Sequence, residues 1–363
     1  MDHITAMLFR GAQFQITGTT PEPDPLPNNL KMTGHNSSGQ LGNNSTTHSS
    51  ILVGVDSNIG GWSSISAGMH HTLAISEGKL YSWGSNTEGR TGLGSTIGNT
   101  LIPTQVGSET NWSRVSAGTT HCLGLRNGEL WAWGWGINYQ LGDGTTTTHS
   151  TPIRIGTDSN WVNVSAGYGT SYALNSNNQL YAWGININKR LGFVSNDDYV
   201  ETPTLRPWTG WESVSAGSLF GAGIINGELW TWGYDENPQR VGTNSNWVQV
   251  QCGSDHMLAL NSNNQLFTWG ANDEGQLGDG TNNDSSTLVK IGGDNWLYIG
   301  TTLFNSSIAS TTSNQIYVWG SNKDGALGLG DTDNRTSPVF LRTVGSLNWD
   351  TMSAGQDFIG IIT

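Results

Sequence analysis

The stretch WSSISAGMHHTLAISEGKLYSWGSNTEGRTGLG, residues 62–94, decides how the whole chain is read. It contains two elements: a tryptophan leading through a short run into Ser-Ala-Gly, and an aromatic run ending in Trp-Gly. The first recurs as Trp62-SSISAG, Trp112-SRVSAG, Trp161-VNVSAG, Trp211-ESVSAG, Trp247-VQVQCG, Trp296-LYIGTT and Trp349-DTMSAG. The second recurs with its glycine at Gly84, Gly134, Gly184, Gly233, Gly270 and Gly320, at intervals of 50, 50, 49, 37 and 50 residues. A period of this size marks a repeat architecture, in which each unit buries its apolar faces against its neighbours.

Inside each repeat lie hairpin signals. In HTLAISEGKLYSWG (71–84) and HMLALNSNNQLFTWG (256–270) an apolar run turns back on itself. Turn pairs such as Glu77-Gly78, Asn127-Gly128 and Asn226-Gly227 tolerate the positive φ that tight antiparallel connections require. A further strand, with proline suited to an outer edge, follows in LIPTQVG, STPIRIG and SPVFLRTVG. Four strands per repeat make a propeller blade. There are seven Ser-Ala-Gly-type elements but only six Trp-Gly elements. The segment LKMTGHNSSGQLG (30–42) fills the missing place, with Gly34 lying 50 residues before Gly84 and Thr33 standing for tryptophan. The expected fold is therefore all-β: a seven-bladed β-propeller over residues 30–363, its ring closed by a composite blade of N- and C-terminal strands. Residues 1–29, ending in PEPDPLPNN, form an extension and proline-rich linker. Two irregularities carry expectations. The short interval before Gly270, with no fourth-strand signal in YDENPQRVGTNSN, leaves open whether that blade has three strands or four, and Gly300-Thr301-Thr302 in place of Ser-Ala-Gly implies an inner strand that bends differently.

Sheets converging on an axis leave least room at the centre, which suits Ser-Ala-Gly, and widest gaps between blades, which suit tryptophan. Each buried aromatic removes roughly 150–250 Å² from water, worth on the order of 4–6 kcal/mol before entropy.

Composition excludes several classes of function. Charged residues make up 12% of the 363, against 50 glycines and 17 tryptophans, a balance that suits strands and turns. A net charge of −13 opposes attraction to phosphate backbones, so nucleic acid is not an expected partner. Cys122 and Cys252 are too few for a disulfide framework. MDHITAMLFRGAQFQ has no basic region ahead of a sustained apolar stretch, so it does not read as a secretory leader, and no run is long enough for membrane insertion.

The paired elements W-x-x-[VI]-S-A-G and [LI]-x-x-W-G-x-N-x-x-G-Q-L-G at a period near 50 resemble the regulator of chromosome condensation repeat family, over residues 30 to 363. The resemblance implies a non-hydrolytic binding role in which one propeller face holds a partner protein. Such partners are a small GTPase for the nuclear exchange factor and β-lactamase for a bacterial inhibitory propeller of similar architecture. No basic chromatin-binding tail and no wedge-like insertion matches the exchange factor.

Strand alternation puts the turn after Ser-Ala-Gly and the loop after Trp-Gly on one face. The candidate binding residues there are Met69, His70, Thr120, Tyr168, Leu219, Phe220, Asp255, Leu303, Phe304, Gln356 and Asp357. Tyr168, Leu219, Phe220, Leu303 and Phe304 are apolar where turns are normally polar, which marks either an interface or side chains that plug the channel. His71, His121 and His256 share one repeat position, but other blades carry Thr170, Phe220, Asn305 and Phe358 there. Repeat hydrogen bonding explains them better than a metal site. DGTNND (279–284) and DTDN (331–334) lack the ligand spacing of a dedicated calcium loop. No catalytic constellation and no cofactor motif is read.

Three functions remain. The first is a surface or attachment component of a larger assembly such as a phage virion, docked through residues 1–29 and presenting its face to a protein or cell-surface glycan, in a virion or extracellular setting. The second is a soluble regulator or inhibitor of one protein, with a cytoplasmic setting as the alternative. The third is a guanine-nucleotide exchange factor.

Overall fold

The computed structural model describes residues 29–192, 197–234, 236–293, 295–301, 304–345 and 349–363. Strand follows strand, with short 3-10 turns and no α-helix among the described residues. There are seven sheets of four strands. In blade one the strands run outward from the axis as Trp62–Ala67, His71–Ser76, Lys79–Ser85 and Asn99–Gln105. Blades two to six repeat this order over residues 112–154, 161–209, 211–240, 247–291 and 296–343. In blades one, two and four the turn between the second and third strands uses two successive positive φ values, as at Asn127 (53°) and Gly128 (77°), which matches the twist of the flanking strands; in blades three, five and six a single asparagine, Asn178, Asn264 or Asn314, takes a positive φ.

The seventh sheet is composite. Its inner strands are Met352–Ala354 and Phe358–Ile362, and its outer ones are Leu30–Gly34 and Ser49–Gly54. Leu30 lies opposite Ile362 and Gly34 opposite Phe358, while the Thr363 amide donates to Asn29 O at 2.7 Å. The ring is thus sealed by ladder bonds between the two ends, and the edges of both partial sheets are paired.

Apolar packing is divided into seven clusters, one between each pair of neighbouring blades. At the seal, Leu30, Met32 and Phe358 meet Trp62, Tyr81 and Trp83. Past the first tryptophan of each full blade the register slips by one residue: Trp62 pairs with Ser76, but Ser64 pairs with Ile75. The second tryptophan ties sheets by hydrogen bond as well as by area. The Trp83, Trp133, Trp183 and Trp319 Nε1 atoms donate to Gln40, Arg90, Gln140 and Gln276 O of the preceding blade at 2.8–3.0 Å.

Both irregular repeats keep the standard blade: the question of three strands or four is answered by four, and the bend expected in blade six is not found. Glu236–Arg240 pairs with Glu228–Gly233 as a fourth strand of blade four, so the deletion falls in the preceding loop. In blade six, Trp296 pairs with Thr311 and Tyr298 with Ser310, the same slip as elsewhere, so its inner strand does not bend differently. The triplet's own hydrogen bonds run instead to partners in the neighbouring sheets.

Those partners lie at the axis. The Ser66, Ser116, Ser165, Ser215 and Ser353 hydroxyls accept the amide hydrogens of Ala117, Ala166, Ala216, Cys252 and Ala67 in the next blade, at 2.9–3.0 Å. Between blades five and six Gln249 Oε1 takes this role, accepting from the Ile299 amide at 3.2 Å. The glycine of the triplet is needed for close approach: a Cβ on Gly118 would stand 2.7 Å from Gly167 O, and one on Gly167 2.6 Å from Gly217 O.

The three repeated histidines are also inter-blade braces. Their Nε2 atoms reach Cys122 Sγ (3.0 Å), Ser171 Oγ (2.8 Å) and Ser307 Oγ (3.0 Å) from His71, His121 and His256. Ser171 and Ser307 pass their own hydrogens to Gln140 O and Gln276 O, so Nε2 is the protonated nitrogen of His121 and His256. Burial lowers His121 to about 3 and His256 to about 4 from an ordinary 6.5, and lowers His71 well below 6.5.

Two predictions follow from the fold. Because the folded state resists protonating these histidines, their contribution to stability is complete above pH 6.5 and is lost as pH falls from there towards 3–4. Denaturant midpoints measured from pH 7 to pH 4 should fall. In His121→Phe, which copies the natural Phe220 of blade four, the slope should shrink by up to about 1.4 kcal/mol per pH unit. At the seal, Gly34 has φ 107°, and an added Cβ would stand 2.3 Å from Asp357 O. Gly34→Ala should therefore cost about 2–4 kcal/mol in thermal or denaturant unfolding.

Candidate functional site

Turn and loop meet on one face by backbone hydrogen bonds. Ser85 N donates to His70 O (2.8 Å), Trp135 N to Thr120 O (3.0 Å) and Ala271 N to Asp255 O (2.8 Å). The loops after Trp-Gly are held from within by their repeated asparagine. Asn36 Nδ2 donates to Ser45 O and Thr47 O, while its Oδ1 accepts from the Leu41 amide; Asn272 and Asn322 do the same in their own loops. The turns are stitched around the axis, with Thr119 N donating to Gly167 O, Ser254 N to Phe304 O and Gln356 N to Gly68 O at 3.2–3.3 Å. This face is a rigid platform. On the axis, the inner strands enclose a cavity of about 340 Å³ lined by Ser66, Ser116, Ser165, Val250, Asp350 and Ser353 among others.

The expected binding residues divide into groups. Tyr168 is 52% exposed and Asp255 is exposed, while Met69, His70, Thr120, Leu219, Phe304, Gln356 and Asp357 are half-buried on the same face. Phe220 is not a surface residue: it is 2% exposed, fills the position that histidine takes in other blades and packs into the cluster between blades four and five. Leu303 and the extension 1–28 lie outside the described residues.

The deletion in blade four creates the feature that most distinguishes this face. Its third strand ends at Gly233 and its fourth begins at Glu236, whereas in blade one residues 86–98 separate the corresponding strands. Without that loop, a cavity of about 210 Å³ opens, lined by Phe220, Thr231, Trp232, Gly233, Tyr234 and Met257. Trp269 of blade five is 8% exposed, whereas its counterparts Trp83, Trp133, Trp183 and Trp319, each roofed by a loop carbonyl, are fully buried. Tyr234 stands at the rim, 50% exposed, stacked on Phe220 (5.6 Å between centroids), with its hydroxyl donating to Asp255 Oδ1 at 2.9 Å. Burial and the Asp255 carboxylate raise its pKa, so it remains a neutral donor. Sequence reading missed Tyr234 and the notch, although the 37-residue interval was their signal. The rim carries the exposed carboxylate of Asp255, and the loops of blades five and six on this face expose Asp273, Asp284 and Asp333.

Sequence reading also missed a second grouping. His35 and His48, in the loop of the composite blade, converge on Asp324 in the loop of blade six, at 2.7 and 3.1 Å. Next to them His70 is lowered to about 4 by burial, Arg90 and His35.

No helix among the described residues is long and apolar enough to cross a membrane. In overall shape the chain is similar to human WBSCR16, with TM-score 0.82 and 19% identity over 92% of this chain and 99% of that one. It is also similar to Prp20p of Saccharomyces cerevisiae, which has been studied for binding to Gsp1p and histones, with TM-score 0.79 and 18% identity over 93% and 91%. The yeast RCC1 (Prp20) found in complex with Kap60 gives TM-score 0.78 and 18% identity over 98% and 96%. At these identities the likeness speaks for the fold. The regulator of chromosome condensation (RCC1) repeat itself matches residues 77–125, 127–174, 263–294 and 313–362, and a second form of it matches 161–188 and 247–276. With the repeat spread over most of the ring, and the ring built as that repeat requires, this chain belongs to the RCC1 repeat family.

Proposed function

We propose that the protein is a non-catalytic binding propeller that holds a protein partner on the face built from the Ser-Ala-Gly turns and Trp-Gly loops. The partner seats an apolar side chain in the blade-four notch and sets basic residues against the neighbouring carboxylates. The observation that carries this reading is the missing loop, which leaves a cavity lined by Phe220, Trp232 and Met257 with the half-exposed Tyr234 ring at its rim. An aromatic-floored pocket with a polar rim is the usual form of an interface anchor. The net charge of −13 favours a partner of opposite sign and speeds its encounter.

Similarity in fold to Prp20p, with its binding to Gsp1p and histones, supports a protein rather than a glycan as ligand. Exchange on a small GTPase is a narrower form of the same reading, and nucleotide release from a loaded GTPase tests it directly. The assembly and virion readings depended on residues 1–29 and on composition, and neither bears on this face.

Selection of a random peptide library on the full chain tests the proposal. Recovered peptides should share an aromatic or large aliphatic residue flanked by Lys or Arg, and their binding should weaken with salt. Met257→Trp, which fills the notch, and Tyr234→Ala should each lower affinity by roughly tenfold or more, about 1.4 kcal/mol. Peptides without such a consensus, or ones that bind both variants as well as the parent, would overturn it.

A further inference from the structure

The seam between blade six and the composite blade carries three donors that no feature of the repeat requires. His35 and His48 come from one loop and Asp324 from the other, so the grouping exists only where the chain closes on itself. Both imidazoles offer the same atom: His35 Nδ1 lies 2.7 Å from Asp324 Oδ2, and His48 Nδ1 lies 3.1 Å from Asp324 Oδ1. The ligand atoms of the three residues all lie within 4.8 Å of one another. The rings are 4.3 Å apart and inclined by 53°, so they converge rather than stack. We propose that His35, His48 and Asp324 form a binding site for a divalent first-row transition cation, with Zn²⁺ the fitting occupant, which clips the two ends of the ring together.

Two imidazole nitrogens and one carboxylate oxygen are a donor set suited to zinc and its neighbours, and poorly suited to calcium or magnesium, which take oxygen ligands. The site is prepared for a cation in three further ways. His35 Nε2 is hydrogen-bonded to Ser37 Oγ at 2.6 Å, which fixes the ring from behind in the manner of an outer-shell partner. Asp324 is held at a fixed point of its loop, at φ 56°, by a turn whose asparagine, Asn322, is fully buried. Both carboxylate oxygens of Asp324 are engaged, Oδ2 by His35 and Oδ1 by His48, so the group is already turned towards the two imidazoles. The surrounding charges do not repel a cation. His70, with its ring centroid 6.0 Å from that of His35, is kept neutral near pH 7, and Lys323 faces Asp357 at 3.8 Å. His35 and Asp324 are partly buried and His48 is exposed, so an ion held between them stays open to solvent.

Both histidines must give up the Nδ1 hydrogens they share with Asp324 and carry them on Nε2 instead, so binding exchanges two N–H···O contacts for metal–ligand bonds. Because Asp324 belongs to blade six and the histidines to the composite blade, the bound ion stabilises the closed ring and not the unfolded chain.

The experiment uses the full chain, untagged and stripped with a chelator, titrated with Zn²⁺ by calorimetry and with Co²⁺ by visible absorption. One equivalent should bind, the Co²⁺ spectrum should show the bands of nitrogen-oxygen ligation, and the melting temperature should rise with metal. Asp324→Asn and His48→Gln should keep the fold by circular dichroism. Each should lose at least the roughly tenfold in affinity that even an outer-shell change can cost, together with the metal-dependent rise in melting temperature. Asp143→Asn, which removes the other half-buried pair, His149 to Asp143 at 3.1 Å, should bind as the parent does. Absence of binding, retention of full affinity in Asp324→Asn and His48→Gln, or its loss in Asp143→Asn would each overturn the assignment.

Discussion

Everything else in the ring depends on how closely the inner strands approach the axis, and a serine hydroxyl sets that approach. Each Ser-Ala-Gly serine accepts an amide hydrogen from the blade ahead, so a backbone group that would otherwise face a narrow channel is satisfied by the neighbouring sheet. The glycine that follows lets the next blade's carbonyl come within the space a side chain would need. With spacing at the centre fixed this way, the sheets splay outward and the gaps between them widen. Tryptophan fills those gaps, and its indole N–H finds the loop carbonyl of the preceding blade. Small residues inside and large ones outside are thus two consequences of one geometric constraint.

Most of the architecture was legible because it recurs. Blade number, the composite seal and the hairpin turns follow from spacing and from residues such as Gly34, Asn127 and Gly128, whose roles are local. What escaped was the behaviour of exceptions. The spacing left blade four with three strands or four, and ladder bonds kept the strand while the chain gave up a loop. A missing strand would strip the outer edge of its hydrogen-bond partner, whereas a missing loop exposes only a few apolar atoms. Blade six was expected to bend, but pairing with the strand behind it dictated the same path.

The candidate site was legible only in outline. Placing the turns on one face needed nothing beyond strand alternation, and Tyr168 and Asp255 do stand there exposed. Phe220 misled because position in a turn was judged by counting from the glycine, and its side chain points back into the gap between blades, where other repeats put histidine. Tyr234 was overlooked because its importance comes from what is absent above it. The grouping of His35, His48 and Asp324 joins residues 289 apart in one of its contacts, and no local pattern announces such a meeting.

The composite blade also bears on how the protein is made. Phe358–Ile362 slots between Met352–Ala354 and Leu30–Gly34, so Leu30–Gly34, synthesised before the six other blades, waits with one bare edge until they have all been made. In that interval the edge is open to the same C-terminal strand of another copy, which offers identical side chains in identical register. At high local concentration such an exchange leads to entwined dimers or longer chains of rings. Fidelity of assembly therefore depends on the tethered strand arriving before a neighbour's does, a race that dilution and rapid synthesis both favour.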